Sequence, residues 1–147
     1  MKRINVCTLL VLAVFALFPA SAHGQSNAAP SLHIGLAPCQ VFSGSLAADT
    51  TQGITVRGAC NVPAEAVGVD LAVHISSAGA GSLKLWEWDG TLPSASAVSF
   101  GGGTASSFAV VRLCEPAAEC LYDVSARSTA SVTLTLVVEG YYAPSAE

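Results

Sequence analysis

The chain has 147 residues, a formal net charge of −4, 52% hydrophobic residues and only 11% charged ones. So few charges and so little lysine point to a β-rich module acting outside the cytosol rather than a cytosolic enzyme. The acidic balance offers no basic patch to displace counterions, which argues against nucleic acid or anionic lipid as partners.

The first 22 residues have the pattern of a secretory signal. Lys2 and Arg3 supply the positive start, Val6 to Phe18 is almost uninterrupted apolar sequence, and Ala20-Ser21-Ala22 offers small residues for cleavage before His23. The apolar run is shorter than the ~20 residues of a membrane span, so no span is expected once the signal is removed. Cys7 lies too early to be a lipidated cysteine. The remaining 125 residues carry Arg57, Lys84, Arg112 and Arg127 against ten carboxylates, a net charge of −6. That length suits one domain with a substantial core.

Residues 23–36 lack a clear period and read as an N-terminal tail, although Leu32, Ile34 and Leu36 could lay a short strand on the domain. The domain itself is expected over residues 37–143, with a C-terminal tail at 144–147. Gln40–Ser43 and Gly53–Gly58 read as short strands. Val69, Leu71, Val73 and Ile75 alternate with Asp70, Ala72 and His74, the signature of a half-buried strand. Ser82–Trp88, Ala95–Phe100, Ser107–Leu113 and Cys120–Ser125 follow as further strands, separated by Gly-, Pro- and Ser-containing turns. Pro63–Ala66 is consistent with one short helical turn. The last strand is the plainest: Val132, Leu134, Leu136 and Val138 face one way, Thr133, Thr135 and Glu139 the other. No stretch has the spacing of a substantial helix. Short strands of this number bury their apolar faces only if two sheets stack or one closes. The expected fold is therefore all-β, an antiparallel β-sandwich, with a β-barrel as the alternative.

Four cysteines remain after the signal, and an even number in an exported chain favours disulfides. Strand-forming V-V-R-L precedes Cys114 and L-Y-D-V follows Cys120. Glu115–Glu119 between them reads as a turn, which predicts Cys114–Cys120 as a staple at the mouth of a hairpin. A metal site would need tight C-x-x-C pairs with further ligands, and a redox site C-x-x-C at a helix start; both are missing. Cys39–Cys60 follows as the second bridge.

These segments together resemble a module found singly or in tandem in secreted and surface proteins of bacteria. Its pattern runs P-C-R-x-x-D-T-R, C-G-V-P-x-x-A, A-V-x-L-N-V-T, G-Y-L-T-L-Y-P, S-x-L-N-F, V-V-x-L and G-Y-F. The matching segments here are Pro38-Cys39-Gln40, Cys60-Asn61-Val62-Pro63-Ala64, Val69–Ile75, Gly81–Trp86, Ala97–Phe100, Val110–Leu113 and Val137–Tyr142, in the same order over about 105 residues. The resemblance implies a sandwich-like export module with no assigned catalysis, and it supports the Cys39–Cys60 pairing. Here Ser43-Gly44-Ser45 stands where the module has D-T-R, and Gln40 replaces its arginine. Any binding role of those charged groups is therefore absent from this chain.

Trp86 and Trp88, two apart, fall on one strand face with Lys84, while Leu83 and Leu85 face the other way. Such a row could stack sugar rings, and these three residues are the candidate binding contacts; the competing role is core filling or cover for a sheet edge. Tyr141 and Tyr142 read as a strand end packed over the core. Glu87 and Asp89 are the one carboxylate pair placed for glycoside hydrolysis, yet no cleft signal accompanies them. No G-x-S-x-G elbow, dinucleotide loop or phosphate loop occurs. The expectation is a non-enzymatic binding or structural module, secreted or at the cell surface, with the periplasm as the other compartment. It needs no cofactor or metal, and its expected partner is an extracellular polysaccharide or protein. A small secreted glycan or cell-wall hydrolase is the alternative.

Overall fold

A computed structural model describes residues 31–144. The signal sequence, residues 23–30 of the expected tail and residues 145–147 lie outside them. Eight strands occur: β1 (Ser31–Leu46), β2 (Thr51–Ile54), β3 (Gly68–Ser77), β4 (Gly81–Glu87), β5 (Val98–Phe100), β6 (Gly103–Arg112), β7 (Val124–Ser128) and β8 (Val132–Pro144). A single 3₁₀ turn covers Pro116–Ala118. The strands form two four-stranded antiparallel sheets, ordered β1-β8-β3-β6 and β2-β7-β4-β5. Neither sheet closes, so the molecule is a sandwich and not a barrel.

Strand alternation builds the core. In β3, Val69, Leu71, Val73 and Ile75 point inward, as Val132, Leu134, Leu136 and Val138 do in β8. The second sheet answers with Leu83 and Leu85 from β4 and with Val124 and Ala126 from β7. Burying each of the larger aliphatic side chains contributes about 1.5–3 kcal/mol. A register shift of β8 against β3, between Asp70 and Leu71, leaves Glu139 without a partner there. One extra residue in a strand restarts its alternation. Tyr141 therefore packs against the core, whereas Tyr142, opposite Gly68, turns to the outer face.

Residues 31–36, assigned from sequence to the tail, are the first part of β1. They pair with the end of β8 from Ser31↔Pro144 to Gly35↔Gly140. β1 is an edge strand of 16 residues, a length that invites pairing with another chain. Pro38, two register shifts between Gly35 and Phe42, and the Cys39–Cys60 bridge interrupt that edge.

Both disulfides form, Cys39–Cys60 and Cys114–Cys120. The hairpin expected around the second one does not. β6 belongs to the first sheet and β7 to the second, so Cys114–Cys120 staples a crossover between layers. Burial explains the difference: Val111 fills the inner face of one sheet, and Val124 and Ala126 fill that of the other. The chain must change layers between them, and β7 starts only at Val124. Two disulfides fit an oxidising compartment. Among the described residues, no helix is long and apolar enough to cross a membrane.

Candidate functional site

The sequence-predicted contacts lie on the outer face of the second sheet. Leu83 and Leu85 are buried inward, so Lys84 and Trp86 face out. Trp88 follows the end of β4, and its amide donates to the Asp123 carbonyl at 3.1 Å. Its ring meets Tyr122 edge-on, with centroids 4.8 Å apart. The Tyr122 ring lies over Gly53, occupying the space a side chain there would need. Ser125 sits between Gly53 and Trp86 in the cross-strand register and points outward, yet it is only 2% exposed. Lys84 is also engaged, donating from Nζ to the Pro93 carbonyl at 2.7 Å. Both tryptophans are half-buried, and Trp88 packs with Tyr122, which was hidden within a segment that reads as strand.

The outer face of the first sheet is more open. Phe108 and Val110, two apart on β6, are 75% and 68% exposed. Phe108 continues across the strands to Ala72 and Val137, while Val110 continues to Asp70 and Gly140. The next row reads Ser43, Thr135, His74, Ser106 from β1 to β6. Within it Ser43 Oγ and Thr135 Oγ1 are 3.1 Å apart, and His74 Nδ1 and Ser106 Oγ 2.9 Å apart. A further row holds Ser45, Thr133, Ser76 and Thr104. These side chains form a grid, with neighbours about 4.8 Å apart between strands and about 6.8 Å apart along each strand. The grid leads into an open trough of about 550 Å³ that shares Ser45, Ser76 and Thr133 and adds Ser131 at its rim.

At the opposite end, the Nε2–H of His33 donates to Asp70 Oδ2 at 2.6 Å, and the Tyr142 hydroxyl donates to Asp70 Oδ1 at 3.4 Å. The imidazole crosses Gly140, where a side chain would block it. Burial raises the Tyr142 pKa, and the negative charge and hydrogen bond of Asp70 raise it further.

Glu87 is held by Arg112, with Oε2 3.2 Å from Nε, and Asp89 sits exposed on a turn with φ 63°. Ser106 and His74 touch as a nucleophile and base would, but on an open face. Among the described residues, no carboxylate hydrogen-bonds to His74, and no group of three or more His, Cys, Asp or Glu side chains could hold a metal ion. No protein-family model matches the chain, and no curated protein matches it. Phe108 and Val110 escaped attention in the sequence because Ser107–Leu113 alternates between two sets that are both largely apolar. The register alone decides which set faces out.

Proposed function

We propose that the protein is an exported, non-enzymatic binding module that holds an extracellular polymer or protein against the outer face of its first sheet. The observation that carries this reading is the apolar strip formed by Phe108, Val110 and Val137, with Ala72 buried between Phe108 and Val137. Two of its members are more than two-thirds exposed, and they stand beside rows of hydroxyls on a rigid four-stranded support. A sheet tied to its neighbours by backbone hydrogen bonds presents such side chains at fixed spacing, so little ordering is needed on binding. The signal-like first 22 residues and the two disulfides support an extracytoplasmic site of action. The segment order that resembles the bacterial surface module adds to that reading.

The test uses immobilised protein lacking residues 1–22, challenged with isolated envelope and extracellular-matrix fractions. Phe108→Ser should reduce retention of the bound fraction, while Trp86→Ala should leave it largely unchanged. Retention indifferent to Phe108 would remove this face as the binding surface. Release of reducing ends from a glycan fraction, lost on changing Glu87 or Asp89, would favour the hydrolase instead.

A further inference from the structure

We propose that the hydroxyl grid and Phe108 together form a site for a neutral polysaccharide, laid across the strands with one sugar ring against the phenyl ring. This rests on the first sheet's outer face being the binding surface and names the ligand class that face suits.

A pyranose has an apolar face of C–H groups and a rim of hydroxyls. Phe108, 75% exposed, supplies a flat apolar surface for the first. It is two residues from Ser106 on the same side of β6, so the row Ser106, His74, Thr135, Ser43 runs beside it for the second. That row crosses three strand-to-strand gaps, about 14 Å, long enough for a short oligosaccharide. Each hydroxyl both donates and accepts, as sugar hydroxyls do, and the lateral pairs Ser43–Thr135 and His74–Ser106 fix the direction of adjacent groups. The trough beyond the second hydroxyl row offers a recess where a chain end or branch can sit.

The composition argues against other ligands. Protein interfaces are depleted in serine and enriched in aromatic residues, methionine and arginine; the two hydroxyl rows hold four serines and none of the enriched types, and Phe108 beside them is the one such residue. His74 is the only ionisable side chain in the two hydroxyl rows, and the chain left after signal removal carries a net charge of −6. An anionic glycan would find no counter-charge there and would meet long-range repulsion.

Affinity electrophoresis in gels containing laminarin, xylan or soluble starch tests this, with polygalacturonate as the anionic control. At least one neutral polymer should retard the protein, and polygalacturonate should not. Phe108→Ala should weaken binding about tenfold, as expected when an aromatic contact is lost. Thr135→Val, which keeps shape and removes a hydroxyl, should weaken it a few-fold, and Trp86→Ala should not matter. Thermal melting of each variant checks folding, and the exposure of Phe108 predicts an unchanged midpoint for Phe108→Ala. Absence of retardation by all three neutral polymers, or retardation untouched by Phe108→Ala and Thr135→Val, overturns the proposal. Envelope retention separates the two readings. If it depends on Phe108 and is destroyed by protease but survives periodate, the binding face stands and the carbohydrate assignment falls. If it does not depend on Phe108, both fall.

Discussion

Arg57 and Asp123 form a buried ion pair at one end of the sandwich, with Nη1 2.7 Å from Oδ1 and side chains only 13% and 8% exposed. Most of the remaining capacity of both groups is used. Asp123 Oδ2 accepts from the Val56 and Arg57 amides at 2.7 and 2.9 Å. Arg57 donates from Nε and Nη2 to the Ala66 carbonyl and from Nη2 to the Cys114 carbonyl. The pair thereby ties the loop after β2 to the crossover that joins the sheets.

Removing one partner should be far worse than removing both. Asp123→Ala leaves a buried guanidinium uncompensated and two amides without an acceptor, and should cost about 3–5 kcal/mol. Arg57→Met should cost a similar amount by stranding the carboxylate. The double variant Arg57→Met/Asp123→Leu should recover part of the loss, because it leaves no charge buried. Urea unfolding of the four proteins closes the cycle; equal and additive losses would show that the pair is not coupled.

The disulfides should differ in worth through the loops they close. Cys39 and Cys60 are separated by 21 positions, Cys114 and Cys120 by 6. The chain-entropy relation then gives about 3 kcal/mol for the first and about 2 kcal/mol for the second. Paired Cys→Ala variants, compared by denaturant midpoint, should rank in that order. A larger loss at Cys114–Cys120 would mean that the crossover staple also supports the adjacent Arg57–Cys114 hydrogen bond.

What could be read in advance depended on how local the cause was. The inward set of β8 is written in the alternation of Val132, Leu134, Leu136 and Val138, and the buried face of β3 likewise, so the two-layer fold was legible. The partner of Asp123 lies 66 positions away, so no local pattern announces it. The segments beside Cys114 and Cys120 have strand-forming residues, but propensity does not say whether two strands share a sheet. Lys84 and Trp86 do share an outward face. The engagement of Lys84 by Pro93 and of Trp88 by Tyr122, like the outward turn of Phe108, follows from which segments become neighbours.

Gly53 should tolerate no side chain, because the Tyr122 ring already fills that space. Gly53→Ala forces Tyr122 off the outer face and breaks its edge-on contact with Trp88, and overpacking of this kind costs about 1–3 kcal/mol. Near-ultraviolet circular dichroism should lose aromatic signal while the far-ultraviolet β-sheet signal persists. An unchanged aromatic spectrum would show that Tyr122 does not depend on the missing side chain.

Tyr142 should hold its proton beyond the ordinary value of 10.0, because burial and then the Asp70 carboxylate both oppose a phenolate there. The folded pKa is raised, so the stability linked to this proton is fully present below the unfolded value. Above that value the unfolded chain ionises first, and the folded state loses relative stability until the pH passes the raised pKa of Tyr142 itself. Asp70→Asn removes the neighbouring charge and should bring the Tyr142 titration back toward 10.0, leaving only the effect of burial. Carbon-detected resonances of the tyrosine ring, followed through the alkaline range in both proteins, measure this directly. A Tyr142 that ionises at or below the free value in the wild-type protein would mean that the hydroxyl does not face Asp70. In that case the His33–Asp70 contact would hold the start of β1 against β8 and β3 without it.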